Sequence, residues 1–317
     1  MQEQSNDLKC PGCGEPVQPN WKLCPLCETR LQSLVCPQCN ASVETAWKRC
    51  PQCEALLICR QCGERLPPGS DTCPQCSATP AVDKPWVDKL CGVEMIYIPG
   101  GCFEMGDPFD EGVENEKPLH EVRLDPFFIS RTLVTQAQWL SLMDDNPSSF
   151  HGPHYPVEQV TFDDAMDFAR KLSRGHHDSF QFSLPTEAQW EFAARSGGKS
   201  ERYAGGEDID ALAWYEANSQ GSTHPVGGKA PNGLGLHDMS GNVWEWCLDS
   251  FDPEAYATHA ILNPRIDRPG TDRVIRGGSW SLDSWSARCA RRFNFRADAF
   301  GPGLGFRLVM RPQRSDD

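Results

Sequence analysis

Apolar and polar positions follow three rhythms along this chain, and they change near residue 91. From there, "VEMIYIPGGCFEMGD" (93–107) alternates apolar with small or polar positions and then meets Gly100-Gly101, which predicts a hairpin. "HEVRLDPFFIS" (120–130) reads as a further single strand. Three helix starts follow. Thr135, Thr161 and Thr186 are each followed three residues on by Gln138, Asp164 and Gln189. That spacing predicts capping boxes, in which the threonine hydroxyl takes the N3 amide and the N3 side chain takes the threonine amide. In the second helix Phe162, Ala165, Met166, Ala169 and Leu172 form an apolar stripe at helical spacing. After residue 197 the chain is glycine-rich and irregular. These patterns predict a loop-rich α+β domain over 91–312.

Before residue 91 the rhythm is set by cysteine. Six C-x-x-C pairs occur: Cys10 with Cys13, Cys24 with Cys27, Cys36 with Cys39, Cys50 with Cys53, Cys59 with Cys62, and Cys73 with Cys76. Within each successive couple the pairs are ten residues apart, and the couples begin at 10, 36 and 59, so the unit repeats. A C-x-x-C turn aims two thiolates at one ion, and the returning loop completes a tetrahedron of sulfur. Segments this short bury too little apolar surface to fold unaided, so the metal supplies the folding energy. We expect three structural zinc ribbons at 1–30, 31–55 and 56–78, a linker at 79–90 and a tail at 313–317. Redox C-x-x-C pairs would need a βαβ context, which this stretch lacks.

Charge narrows the partners. The chain of 317 residues carries a formal net charge of −14, which disfavours nucleic acid and anionic membranes. Residues 1–80 hold 7 Lys/Arg against 8 Asp/Glu, and each four-thiolate zinc centre adds negative charge. The ribbons are therefore expected to dock a protein rather than nucleic acid. No apolar run has the length of a membrane span, and the first residues show no signal-peptide pattern. A cytoplasmic location is the resulting expectation.

Five motifs in order, "MIYIPGGCFEMGD", "PVEQVTFDDAMDFARKL", "FSLPTEAQWEFAAR", "PNGLGLHDMSGNVWEW" and "RVIRGGSW…RCARR…LGFRLV", resemble the formylglycine-generating-enzyme (sulfatase-modifying factor) family. The resemblance covers about residues 91–312 and implies a C-type-lectin-like fold. It does not fix function, since that domain serves oxidases, parts of iron-dependent synthases and non-catalytic ligand-displaying proteins. The oxidases of the family hold copper on two cysteines shortly after "GGS". Here Ser281 to Ser286 contain none, and Cys289 matches a downstream structural cysteine. The iron-dependent synthases use a His-x3-His-x-Glu pattern that this chain lacks; His151, His154, His176 and His177 read as loop residues. No catalytic residue is assigned. The family resemblance implies a calcium site at Asp238, Met239, Gly241 and Val243, since hard cations take carboxylate and carbonyl oxygen. Trp244, Glu245 and Trp246 are expected as a core strand with an arginine partner.

The stretch 273–306 divides into a frame and its interruptions. Arg276, Gly277, Gly278, Trp280, Arg288, Arg291, Arg292, Gly305 and Phe306 look fixed by folding, with Trp280 expected in the core. Between them, Ser281, Leu282, Asp283, Ser284, Ser286, Phe293, Asn294, Phe295, Ala299 and Phe300 follow no periodicity. This resembles the variable region of retroelement-diversified proteins. Randomised AAC-type codons yield no Lys, Gln, Glu, Met or Trp; residues 281–303 contain none of the first four, their one tryptophan, Trp285, would have to be templated, and the depletion already starts at Ala255. The expectation is a surface that binds a protein or other ligand. The alternative is a metal-dependent oxidoreductase of the same family.

Overall fold

The computed structural model describes residues 85–177, 180–268 and 272–312. The expected zinc ligands of the first ribbon, Cys10, Cys13, Cys24 and Cys27, lie outside the described residues. So do those of the second, Cys36, Cys39, Cys50 and Cys53, and those of the third, Cys59, Cys62, Cys73 and Cys76. Eleven strands and five α-helices are present among the residues that are described. In chain order they are β1 (Trp86–Val87), β2 (Glu94–Ile98), β3 (Gly101–Met105), β4 (His120–Leu124), β5 (Phe127–Ser130), α1 (Gln136–Leu140) and α2 (Phe162–Gly175). Then come β6 (Phe180–Ser183), α3 (Glu187–Ala194), α4 (Ile209–Leu212), β7 (Trp244–Ser250), α5 (Ala255–Thr258) and β8 (Asp272–Arg276). The last are β9 (Arg292–Arg296), β10 (Leu304–Gly305) and β11 (Val309–Pro312).

Two sheets carry the domain. One runs β1-β2-β5-β11-β6 and the other β10-β7-β8-β9, while β3 and β4 pair separately. The hairpin expected at Gly100-Gly101 does not form. Ile98 pairs with Phe127 and Gly101 with Leu124, so β2 plus β3 run against β5 plus β4 in one register, as a single bent ribbon. Gly100, with φ +77°, stands at the bend, where an added Cβ would lie 2.4 Å from the Leu124 carbonyl oxygen. Its glycine serves a close approach, not a reversal. On the opposite strand Asp125-Pro126 divides the expected single strand in two, since proline has no N–H for the ladder. β1 lies inside the stretch expected as linker and pairs Trp86 with Met95.

All three capping boxes form, at Thr135, Thr161 and Thr186. α2 buries Phe162, Ala165, Phe168, Ala169 and Leu172, the expected stripe with Phe168 added and Met166 only half-buried. They pack with Trp139, Trp246 and Phe306 in one core cluster. α3 differs, because it is buried nearly all round, including Glu187 and Glu191. Its Trp190 joins Val274, Cys247 and Cys289 in a second cluster. No helix among the described residues is long and apolar enough to cross a membrane.

Candidate ligand-binding surface

The arginines near the end of the chain are spent on the interior. Arg292, on β9, grips Glu187 of α3 with Nε–Oε1 at 2.6 Å and Nη2–Oε2 at 2.8 Å. Arg276, on β8, reaches Glu187 at 3.2 Å and also bonds Glu191. Arg195 closes the set on Glu191 at 3.0 Å. Arg288 makes a two-pronged contact with buried Glu116 at 2.9 and 3.0 Å, and Arg291 adds a third at 3.5 Å. Burial pushes the Glu187 carboxyl up, but Arg292 and Arg276 outweigh it and hold it below the usual value. Charges this deep persist only when paired. The expected arginine partner of Glu245 is Arg307, at 2.6 and 2.9 Å. Nothing in the sequence marks Glu116 as a partner. For Glu187 the signal is two glutamates at i, i+4 within "EAQWEFAA", a helix otherwise too apolar for a surface.

Outside this frame the interruptions reach solvent. Phe293 and Phe295 are each 40% exposed and Phe300 is 61% exposed. They are not loosely hung: Phe293 stacks on Trp244, centroids 6.0 Å apart. Ser281 and Asp283 are exposed, while Ser284, Ser286 and Ala299 are half-buried. Asp283 caps a 3₁₀ turn, Ser284–Ala287, by accepting the Ser286 amide at 3.0 Å. Leu282 is half-buried against the first core cluster. Asn294 donates its side-chain amide to Asp272 at 2.6 Å. Trp285 lies under the Arg288 and Arg291 guanidinium groups, 4.6 and 4.4 Å from its ring centroid, and its indole donates to the Glu111 carbonyl at 3.2 Å. Trp280 departs from expectation, being half-buried rather than core. Its indole N–H donates to the Pro302 carbonyl at 2.8 Å and its ring meets Phe150 edge-on. An indole with a carbonyl to satisfy is held at the boundary between loops.

The remaining candidates fall elsewhere. Cys247 and Cys289 are fully buried, and burial pushes the Cys289 thiol up to about 12. Such a thiol is a small core hydrophobe. Cys91 is half-buried and Cys102 exposed, and neither is disulfide-bonded. His151, His154 and His177 are exposed; His176 instead bonds Asp88 at the end of α2. Asp238 is buried in a turn where Asp238, Gly241 and Asn242 have φ of +56°, +77° and +62°. Its carboxylate accepts the Gly227 amide at 2.7 Å and the Asn242 side chain at 3.4 Å. Burial pushes that carboxyl up more than Gly227 and Arg307 lower it. Among the described residues no group of three or more His, Cys, Asp or Glu gathers as a metal cluster. Of the four positions expected to hold calcium, Asp238 alone offers a side-chain oxygen, and Met239, Gly241 and Val243 could offer only backbone carbonyls.

Residues 87–312 match the family described as Sulfatase-modifying factor enzyme 1-like domain. The chain belongs to that family. Residues 10–54 separately match the Double zinc ribbon. That match spans eight of the twelve ribbon cysteines, from Cys10 and Cys13 to Cys50 and Cys53. The third unit, Cys59 and Cys62 with Cys73 and Cys76, lies beyond it. The Formylglycine-generating enzyme of Streptomyces coelicolor is 32% identical over 68% of this chain and 88% of its own length. Among solved structures, Treponema denticola variable protein 1 superposes with a TM-score of 0.66 at 28% identity, over 72% of this chain and 99% of that one. PvdO from Pseudomonas aeruginosa gives 0.62 at 27%, over 72% and 98%. The fold is thus the C-type-lectin-like scaffold of the formylglycine-generating enzymes.

Proposed function

We propose that this chain is a ligand-recognition protein whose ligand seats on residues 281–303, on a scaffold shared with formylglycine-generating enzymes. The observation that carries the reading is the division within one stretch. The arginines are locked in buried ion pairs, while Phe293, Phe295 and Phe300 face solvent. Exposed aromatics on a rigid frame are what a binding hot spot requires. Likeness to a variable protein supports it. Retroelement diversification of 281–303 belongs to the same proposal, and a reverse-transcriptase gene with a template repeat beside the coding sequence would support it. Three zinc ions hold the ribbons, which dock a protein partner in the cytoplasm; metal analysis should find about three zinc per chain. Calcium at Asp238 supplies structural charge compensation, so a melt indifferent to calcium and chelator removes that part.

A second reading, metal-dependent oxidation, is favoured by the Streptomyces relative. One experiment separates the two. The copper-reconstituted chain is offered a sulfatase-type cysteine peptide. The ligand reading predicts no turnover. Turnover that survives Cys289→Ser but fails when Ser281 or Ser284 is changed restores the enzyme.

A further inference from the structure

β9 is the terminal strand of its sheet, with β8 on one side only. Its five residues pair with β8 from Arg292 to Arg296 in unbroken register. Among the described residues no backbone hydrogen bond joins Arg292, Phe293, Asn294 or Phe295 to any element except β8. Open edges are usually blunted by charged side chains, proline or a bulge. β9 has no proline and no bulge, and its two charges, Arg292 and Arg296, stand at its ends, which leaves Phe293 to Phe295 between them. Instead Phe293 and Phe295, two residues apart and so on one face, are both exposed.

The edge is also electrically quiet. Arg292 is committed to Glu187, Arg296 to Asp298, and the Asn294 amide to Asp272. Arg291 is paired with Glu116 and lies over Phe293, 5.4 Å from its centroid. Between Arg292 and Arg296, therefore, each cation has a carboxylate partner, and the stretch Phe293 to Phe295 carries no charge of its own. What matches such an edge is backbone hydrogen-bonding capacity combined with apolar side chains at alternate positions. We propose that the partner at this surface is an extended, uncharged peptide segment that adds to β9 as a further strand, laying its alternate apolar side chains on Phe293 and Phe295. The proposal rests on the ligand-surface reading above and names the class of partner. A second copy of this chain is a poorer match, because each copy carries a net charge of −14 and like charge opposes pairing.

The test uses the full chain and a displayed library of random peptides. Selected peptides are kept only if they fail to bind a Phe293→Ala/Phe295→Ala variant that melts as the wild type does. Each is then synthesised with one backbone N-methyl at successive positions. In an added strand successive N–H groups point to opposite sides, so every second methyl should weaken binding at least about tenfold and the others leave it unchanged. Phe-dependent peptides with no such alternation overturn strand addition and leave the ligand surface standing. If no selected peptide depends on the two phenylalanines, both readings fall. A sedimenting dimer of the full chain that Phe293→Asp dissociates makes a second copy the occupant and overturns the peptide.

Discussion

Within 273–303, residues a few positions apart live in different worlds. Arg292 is fully buried and its neighbour Phe293 is 40% exposed, an inversion of the usual preference of each residue type. The difference teaches what each is for. Beside the second hydrophobic cluster, Arg276 and Arg292 make directional ion pairs with α3, while Arg288 and Arg291 pair with Glu116.

The largest expected effect breaks the frame. Arg292→Leu strands Glu187 in the interior with Arg276 as its remaining cation and should cost about 3–5 kcal/mol in denaturant melts. Replacing Arg292 and Glu187 together with leucine should recover part of that loss, since the broken pair is removed whole and Arg276 keeps Glu191. Equal losses in the single and double variants would mean that packing, not pairing, holds the frame.

Next is a pH effect on the frame side. His259 bonds His120 at 3.0 Å and packs on Tyr256, whose hydroxyl reaches Glu187 and Glu191. Burial lowers the His259 pKa from 6.5 to about 4. A depressed histidine contributes stability above its unfolded value that is lost as pH falls through the folded one. Wild type should therefore lose melting temperature between pH 6.5 and about 4, and His259→Gln should lose less over the same window. Parallel curves would contradict the assignment.

A smaller loss sharpens the boundary between the two regions. Trp280→Ala, half-buried with one indole bond, should cost about 2 kcal/mol, below the range for a fully buried aromatic. Phe300→Ala, at 61% exposure, should stay within about 0.5 kcal/mol of wild type. A cost above that of Trp280 would place Phe300 in the framework.

Much of this was legible from local pattern. The three capping boxes and the α2 stripe follow from residues three or four apart, where sequence and space coincide. The exposed aromatics stood out because nothing periodic claimed them. The bent ribbon was not legible, because Gly-Gly serves a reversal and a bend equally and only the pairing of Ile98 with Phe127 decides. Arg288 with Glu116, and Arg292 with Glu187, join residues more than a hundred positions apart. No rhythm in a single sequence announces such pairs. Trp280 misled for a different reason: an indole reads as core until its N–H needs an acceptor.

The central claim is that residues 281–303 meet a ligand. Its most direct test places a photo-reactive phenylalanine analogue at position 293 or 300 in the source cell, with the exposed Leu140 position as control. A discrete crosslinked adduct is expected from 293 and 300 and none from 140. Adducts of equal yield at all three positions, or at none, would contradict it.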